Sequence, residues 1–198
     1  DLGNGTTSYI AGNGKQGSFP SLVAQHKDTS GLGSEFAKEV FKTKDGKTYL
    51  VGESCRDGNA RSRSTDSSFY SSETIHVLLL KVLEECEIKN PIIVTGLPTE
   101  FYDQEVKAFE DNIRRWAKGE GYQLKLVKVV PQWAGPWFDD QLADEQGTRI
   151  ALDRVLKGKW GIIDIGQGTT DIGQFNNGRV SDQRLSLIHI SEPTRLLS

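Results

Sequence analysis

The sequence carries one glycine-rich pattern twice, and this repeat constrains the fold more than any other feature. Residues 1–8 read DLGNGTTS and residues 164–171 read DIGQGTTD, so an aspartate, two glycines and two threonines recur at one spacing. Glycine lets a turn adopt positive φ and approach a ligand closely, so that successive N–H groups can bind phosphate oxygens. One such turn is more often a hairpin loop, but two near-copies favour a pair of phosphate-binding turns.

Each copy begins with an aspartate at the end of a predicted strand, Asp1 in the first and Asp164 in the second. Mg²⁺ prefers a few carboxylates combined with phosphate oxygens. We therefore predict that Asp1 and Asp164 hold Mg²⁺ and that the two turns clamp the phosphates of one nucleotide from both sides. The predicted nucleotide-binding residues are Gly3, Asn4, Gly5, Thr6 and Thr7 in the first turn and Gly166, Gln167, Gly168, Thr169 and Thr170 in the second.

Local patterns between the two turns predict a mixture of helices and strands. Ser72 is a suitable N-cap for a helix of regularly spaced apolar residues, and a second helix presents Phe109, Ile113 and Trp116 on one face. Asp45-Gly46 and Asn177-Gly178 each predict a hairpin. Helical spacing also runs from Thr148 to Leu156, whereas Gly135 and Pro136 favour a loop or broken turn over Trp133–Phe138. The predicted class is α/β.

Composition excludes several classes of protein. The 198 residues carry a net charge of -3, which argues against a direct nucleic-acid surface. Cys55 and Cys86 are the only cysteines, as expected of reduced thiols in a cytoplasmic protein. No apolar run approaches the ~20 residues of a membrane span, so no membrane association is expected.

Together the repeated turns, Gly96-Leu97-Pro98 and the run from Val127 to Gln132 resemble the ParM-type plasmid-segregation actins. These belong to the superfamily of actin, sugar-kinase and heat-shock-chaperone ATPases, and the resemblance extends from Asp1 to about Gln183. It implies an actin-like, ribonuclease-H-like ATPase lobe truncated at both ends. Residues 1–158 would form the first lobe, with a small β-rich insertion at about 19–60, and residues 159–184 the first strands of an incomplete second lobe.

The resemblance also implies a function for the parent protein. It would bind ATP, or GTP, with Mg²⁺ between its lobes, polymerise into filaments, and segregate plasmid or phage DNA through a DNA-bound adaptor. Gln132 and Asp164 would be catalytic, with Gln132 orienting the water that attacks the γ-phosphate. Ser8 departs from the family, which commonly has lysine there.

Two alternatives stay open at this point. A small-molecule kinase of the same superfamily would need a catalytic aspartate where Gln132 stands, so the glutamine favours hydrolysis. The other alternative is a non-polymerising cytoskeletal or pilus adaptor of the same fold.

Both ends of the chain are atypical. Asp1 lies inside a turn that normally follows a buried strand, so we expect a missing N-terminal strand. The run LSLIHISEPTR, from Leu185 to Arg195, resembles a translated sequencing-library adapter. We therefore treat residues 185–198 as a non-native tail outside the fold prediction, and expect the chain alone to be inactive because half of the nucleotide cleft is missing.

Two further groups of residues are predicted to have no ligand. Arg56, Arg61 and Arg63 lie among aspartates and serines, which is typical of a solvated loop. The aromatic residues between Trp133 and Phe138 are expected to fill core and not to stack a base.

Overall fold

A computed structural model describes residues 1–26, 40–55, 67–139, 141–165 and 170–186. The chain divides into two units, each considered by itself. Unit 1 comprises Asp1–Thr95 and Glu105–Val129, and unit 2 comprises Gly96–Gln104 and Val130–Ser198.

Unit 1 begins with a hairpin formed by β1 (Thr6–Ile10) and β2 (Gln16–Pro20). The strands are antiparallel, and Tyr9 lies opposite Gly17 with its ring against the glycine backbone. In the connecting loop the Asn13 amide donates to the Cys86 carbonyl at 2.9 Å. This contact fixes the loop on the C-terminal end of the first helix.

A second hairpin belongs to a three-stranded sheet in unit 1. Its strands are β3 (Val23–Gln25), β4 (Val40–Lys42) and β5 (Thr48–Val51), in the antiparallel order β3-β5-β4. Gly46 has φ +85° in the tight turn between β4 and β5, a conformation that favours glycine. The hairpin predicted at Asp45-Gly46 is therefore confirmed.

Two long helices and two further strands make up most of the remaining core. The helices are α1 (Glu73–Cys86) and α2 (Thr99–Gly119), and the strands β6 (Ile92–Leu97) and β7 (Leu126–Pro131) pair with each other. Ser72 caps α1 as predicted, because its side chain accepts from the backbone N–H of Ile75. The apolar face predicted for α2 is buried, with Phe109 and Ile113 at most 1% exposed.

Unit 2 contains a three-stranded antiparallel sheet in the order β10-β9-β8. Its strands are β8 (Lys159–Ile165), β9 (Thr170–Asn176) and β10 (Arg179–Ser186). Asn177 and Gly178 have φ of 50° and 74°, as a type I′ turn requires, so the second predicted hairpin is confirmed. Trp133 and Trp137, on a 3₁₀ helix at Gln132–Phe138, pack against Phe175 of β9.

The helix predicted over Thr148–Leu156 is much shorter in the structure. Only α3 (Leu152–Val155) forms there. The Asp144 carboxylate accepts from the backbone N–H groups of Gln146 and Thr148, and Gly147 has φ +78°. These local bonds give the backbone an alternative to the helix, so a turn replaces its first half.

Several sequence predictions fall outside the described residues. These are the arginine loop at Arg56, Arg61 and Arg63, the glycines of the second turn, and residues 187–198. Leu185 and Ser186 belong to β10, opposite Asp171 and Thr170, although the sequence analysis left them out of the fold. The lobe boundary at residue 158 stays a prediction. None of the helices in the described part of the chain is long and apolar enough to span a membrane.

Candidate functional site

The first glycine-rich turn is held closed by a backbone ladder in unit 1. Ser8 N–H donates to the Asp1 carbonyl at 2.9 Å, and the Asp1 amino group donates to the Ser8 carbonyl at 2.7 Å. Leu2 bridges Thr7 in the same antiparallel sense. Ser21, just after β2, donates from its hydroxyl to the Gly3 carbonyl and from its backbone N–H to the Gly5 carbonyl. Hydrogen bonds within the chain therefore hold the turn.

Within this turn the third residue has to be glycine. A Cβ on Gly3 would lie 2.9 Å from the Thr6 carbonyl oxygen and 3.4 Å from Oδ2 of Asp1. The space that a side chain would fill is thus taken by the turn itself. The Asn4 Oδ1 atom is buried and has no hydrogen-bond partner among the described residues, and Thr7 is fully buried with its hydroxyl 2.9 Å from that of Ser21.

The second turn connects β8 to β9, and two aspartates face each other where those strands meet it. Asp164 and Asp171 are directly opposite in the antiparallel register. Asp171 is 2% exposed, and its Oδ1 has no hydrogen-bond partner among the described residues. Burial, and then repulsion from Asp171, raise the pKa of Asp164 above its ordinary value. The pair can bind a cation or share a proton.

Asp171 was not among the residues predicted from the sequence to form the site. The signal was present, because the second copy of the pattern ends in Asp171 where the first ends in Ser8. What the sequence lacked was the register that places Asp171 opposite Asp164. Residues Gly166, Gln167, Gly168 and Thr169 lie outside the described residues, whereas Thr170 begins β9.

Gln132 begins the 3₁₀ helix directly after β7, as expected for a residue at a strand end. It is half-buried and lies against Gly96 of β6, where a Cβ would be 3.0 Å from the Gln132 Cα and 3.4 Å from its Cγ. Gly96 therefore makes room for the backbone and side chain of Gln132. Gly96 contributes to the family resemblance in the sequence, but its contact with Gln132 was not predicted.

Two of the three aromatic residues near Gln132, Trp133 and Trp137, are part of the core of unit 2, whereas the core expectation is wrong for Phe138. Trp133 is fully buried and Trp137 is 3% exposed; Trp137 stacks on Phe175 with a ring-centroid distance of 3.9 Å. Phe138 is 69% exposed and lies outside this cluster. The core interpretation of the two tryptophans agrees with this packing.

The predicted site residues thus fall into two groups, one in each unit. Asp1 and residues Gly3–Thr7 belong to unit 1, while Gln132, Asp164 and Thr170 belong to unit 2. In the first group hydrogen bonds hold the glycine-rich turn, and in the second Asp164 lies opposite Asp171 while Gln132 lies against Gly96. That the two groups converge on one nucleotide stays a prediction, and so do the roles assigned to their residues.

A mixed α/β chain whose sequence carries two Asp-Gly repeats and a glutamine after a strand resembles the class of actin-like proteins. Residues 1–135 match the family described as actin like proteins N terminal domain. The match includes more than half of the sequence, and the chain therefore belongs to this family. The comparison with curated proteins gave no match.

Solved structures show the same fold. The crystal structure of the apo psk41 ParM protein has a TM-score of 0.61 at 17% identity, covering 90% of this chain and 61% of that one. A non-polymerisable quadruple mutant of pCBH ParM gives 0.66 at 24% identity, covering 91% and 58%. A 15-stranded ParM filament from Clostridium botulinum gives 0.57 at 22% identity, covering 89% and 58%.

These similarities confirm the actin-like fold and the α/β class predicted from the sequence. The chain spans between 58% and 61% of the length of these three proteins. The Clostridium botulinum protein is a filament, and at 22% identity it shows the fold that this chain shares.

Proposed function

We propose that this chain is the phosphate-binding part of an actin-like ATPase that binds Mg-ATP and assembles into filaments. The observation that carries the proposal is the first turn, which the Asp1–Ser8 ladder and Ser21 hold in a fixed shape around Gly3. A turn held in this way is preorganised, so binding phosphate does not have to order it first.

The residues of the second turn fit a divalent cation. Asp164 and Asp171 face each other, and the Oδ1 of buried Asp171, which has no hydrogen-bond partner among the described residues, is a polar atom that needs one. Two facing carboxylates repel each other, so a cation shared between them or held by one of them stabilises the pair. When bound, Mg²⁺ supplies positive charge that neutralises phosphate oxygens. Asp1 is the carboxylate proposed for the same role at the first turn.

Gln132 is proposed to position the attacking water. An amide accepts from water through its oxygen and donates through its nitrogen, but it cannot remove a proton at neutral pH. This chemistry suits hydrolysis, in which orientation of the nucleophile dominates. A kinase acting on a small molecule needs a group that accepts the hydroxyl proton, and glutamine does not provide one.

The proposed cellular role follows from the relatives and not from the site. ParM-type proteins include the Clostridium botulinum filament, and we propose that the parent of this chain also self-associates. Segregation of plasmid or phage DNA through a DNA-bound adaptor is the finer proposal. The net charge of -3 supports an adaptor in place of direct DNA contact.

The decisive experiment uses the protein extended to the full length of its relatives. Gly3→Ala places a methyl group against the Thr6 carbonyl and should weaken Mg-ATP binding by about tenfold or more, because the turn must open. Gly12→Ala is the matched control, since nothing lies within 4 Å of its added Cβ. Calorimetry measures binding, and sedimentation with and without ATP measures assembly.

The outcomes separate the parts of the proposal. Equal ATP affinity in the Gly3→Ala and Gly12→Ala proteins would contradict the phosphate role of the first turn. ATP binding without ATP-dependent sedimentation would favour the non-polymerising adaptor.

A further inference from the structure

Two charged side chains of α2 bind backbone groups at one edge of β7. The backbone N–H of Val129 donates to Oε1 of Glu110 at 3.0 Å, and Nη2 of Arg114 donates to the Val127 carbonyl at 3.3 Å. We propose that Glu110 and Arg114, called here the edge pair, occupy the place where a strand from a second copy of the chain can add to β7. The edge pair thereby prevents copies from joining through this strand.

The two backbone groups point to the same side of the strand. Backbone N–H and C=O groups of residues two apart share one edge, and a parallel neighbour donates to the first carbonyl and accepts from the second N–H. Arg114 and Glu110 supply that donor and that acceptor. An N–H directed at a side chain is not available to β6, with which alone β7 pairs as a strand in the described part of the chain. The edge pair therefore lies on the opposite edge.

The spacing of the helix matches that of the strand. Glu110 and Arg114 are four residues apart on α2, so their Cβ atoms are about 5–6 Å apart on one face. Residues two apart in a strand are separated by about 6.6 Å. Phe109 and Ile113, one residue earlier in each turn, are at most 1% exposed and anchor the helix in the core. The edge pair is therefore presented from a fixed element.

The sequence of β7 favours pairing with another strand. Residues 126–130 read LVKVV, a segment of high β-propensity with a single charge. Lys128 is exposed, and Pro131 ends the strand without an N–H. Lysine and proline are common protective residues on edge strands. Neither of them covers the backbone groups of residues 127 and 129, and the edge pair does.

A second copy is the favoured competitor because it carries the same strand with the same edge. Hydrogen bonds to charged side chains are roughly twice as strong as those between neutral groups. The edge pair also belongs to the same molecule as β7, so it does not lose the translational freedom that an incoming strand loses. Without the edge pair, an N–H and a C=O that are partly buried need new partners, and a second β7 supplies them.

The test uses variants of the 198-residue chain in the absence of nucleotide. The double variant Glu110→Ala/Arg114→Ala removes the edge pair. The matched control, Asp111→Ala/Arg115→Ala, also removes one acidic and one basic exposed side chain from α2, but Arg115 bonds within that helix. The probe is a fluorescein-labelled peptide with the sequence of residues 125–131, and a scrambled peptide is its control. Fluorescence anisotropy measures peptide binding, and sedimentation velocity measures self-association.

The double variant should bind the labelled peptide about tenfold more tightly than the wild type and the matched control do. It should also form dimers that excess unlabelled peptide dissociates. Glu110→Gln keeps an acceptor oxygen and should behave as the wild type. Glu110→Ala alone frees one backbone group and should bind the peptide with intermediate affinity, which provides the test if urea unfolding shows that the double variant does not fold.

Three results would overturn the proposal. The first is wild-type peptide affinity in the folded double variant or, where that variant does not fold, in Glu110→Ala. The second is equally tight peptide binding by the matched control, which would make any loss of charge on α2 sufficient. The third is self-association of the double variant that the unlabelled peptide does not reverse, because the copies would then join through another surface.

Discussion

At the scale of single residues, the shape of the candidate site depends on two glycines. Gly3 and Gly96 are each excluded from carrying a side chain, the first by its own turn and the second by Gln132. Neither contact involves a left-handed backbone, so the requirement is space and not conformation. Substituting such a glycine changes the shape of the site without removing any of its functional groups.

Gly96→Ala in the full-length protein is predicted to slow ATP hydrolysis by about tenfold while leaving ATP affinity nearly unchanged, because a 3.0 Å contact forces the Gln132 backbone to move. Gln132→Ala should give the same pattern with a larger loss. Gly135→Ala, where nothing lies within 4 Å, is the control on the same 3₁₀ helix. Single-turnover kinetics together with calorimetry distinguish the two effects, and hydrolysis at the wild-type rate in Gln132→Ala would refute the assignment.

His76 provides a pH-dependent prediction in unit 1. Its ring stacks on Trp116 with a centroid distance of 5.0 Å, and burial lowers its pKa below the ordinary value near 6.5, against weaker opposing effects of Glu120 and Asp45. The folded state thus favours the neutral ring. The associated stability is complete above pH 6.5 and is lost as the pH falls towards the lowered folded pKa.

The variant His76→Phe keeps an aromatic ring against Trp116 and removes the titration. Wild type is expected to lose more stability than this variant between pH 7.5 and 5.5, as measured by urea unfolding at each pH. An identical loss in both proteins would show that His76 does not titrate differently in the folded state.

At the scale of elements, the sheet of unit 2 depends on a close approach between a strand and the 3₁₀ helix. Gly173 of β9 lies directly against the Trp133 ring, and an added Cβ would overlap that ring. Trp133 also contacts Phe175, two residues further along the same face. The tryptophan therefore fills the position that a side chain at residue 173 would occupy.

Gly173→Ala is predicted to destabilise the protein by about 1–3 kcal/mol through overpacking. Gly161→Ala on the neighbouring strand β8 has open space around the new methyl group and should change stability by less than about 0.5 kcal/mol. Urea denaturation followed by tryptophan fluorescence measures both. Comparable destabilisation by the two substitutions would argue against the tight packing of Trp133 on β9.

The sequence predicted elements well where local chemistry determines them. Ser72, Asp45-Gly46 and Asn177-Gly178 acted as a cap and two turns, because each signal is contained within a few residues. The helix predicted over Thr148–Leu156 was too long, since the Asp144 side chain competes for backbone N–H groups before α3. The pairing of Asp164 with Asp171 and the contact of Gly96 with Gln132 depend on tertiary register, which periodicity does not encode.

At the scale of the whole molecule, the end of β10 pairs with the start of β9. Leu185 and Ser186 pair with Asp171 and Thr170, the residues where the chain leaves that turn. Truncation after Ser186 keeps this end of the ladder, so its melting temperature is the reference. Truncation after Arg184 removes this end of the ladder and should lower it by a few degrees. Differential scanning calorimetry of both proteins tests this, and equal melting temperatures for the two would show that the last two paired residues add no stability.

The division of the chain into units has a consequence for synthesis on the ribosome. Residues 96–104 belong to unit 2 but are translated between the two segments of unit 1. At a translation rate of ~5–20 residues per second, roughly one to five seconds pass between the synthesis of this segment and that of the chain from Val130 onwards. Unit 1 can therefore assemble during elongation, while the contacts of this short segment with the rest of unit 2 form only later. Codon usage and chaperone access over that interval are expected to influence the yield of folded protein more than they do elsewhere in the message.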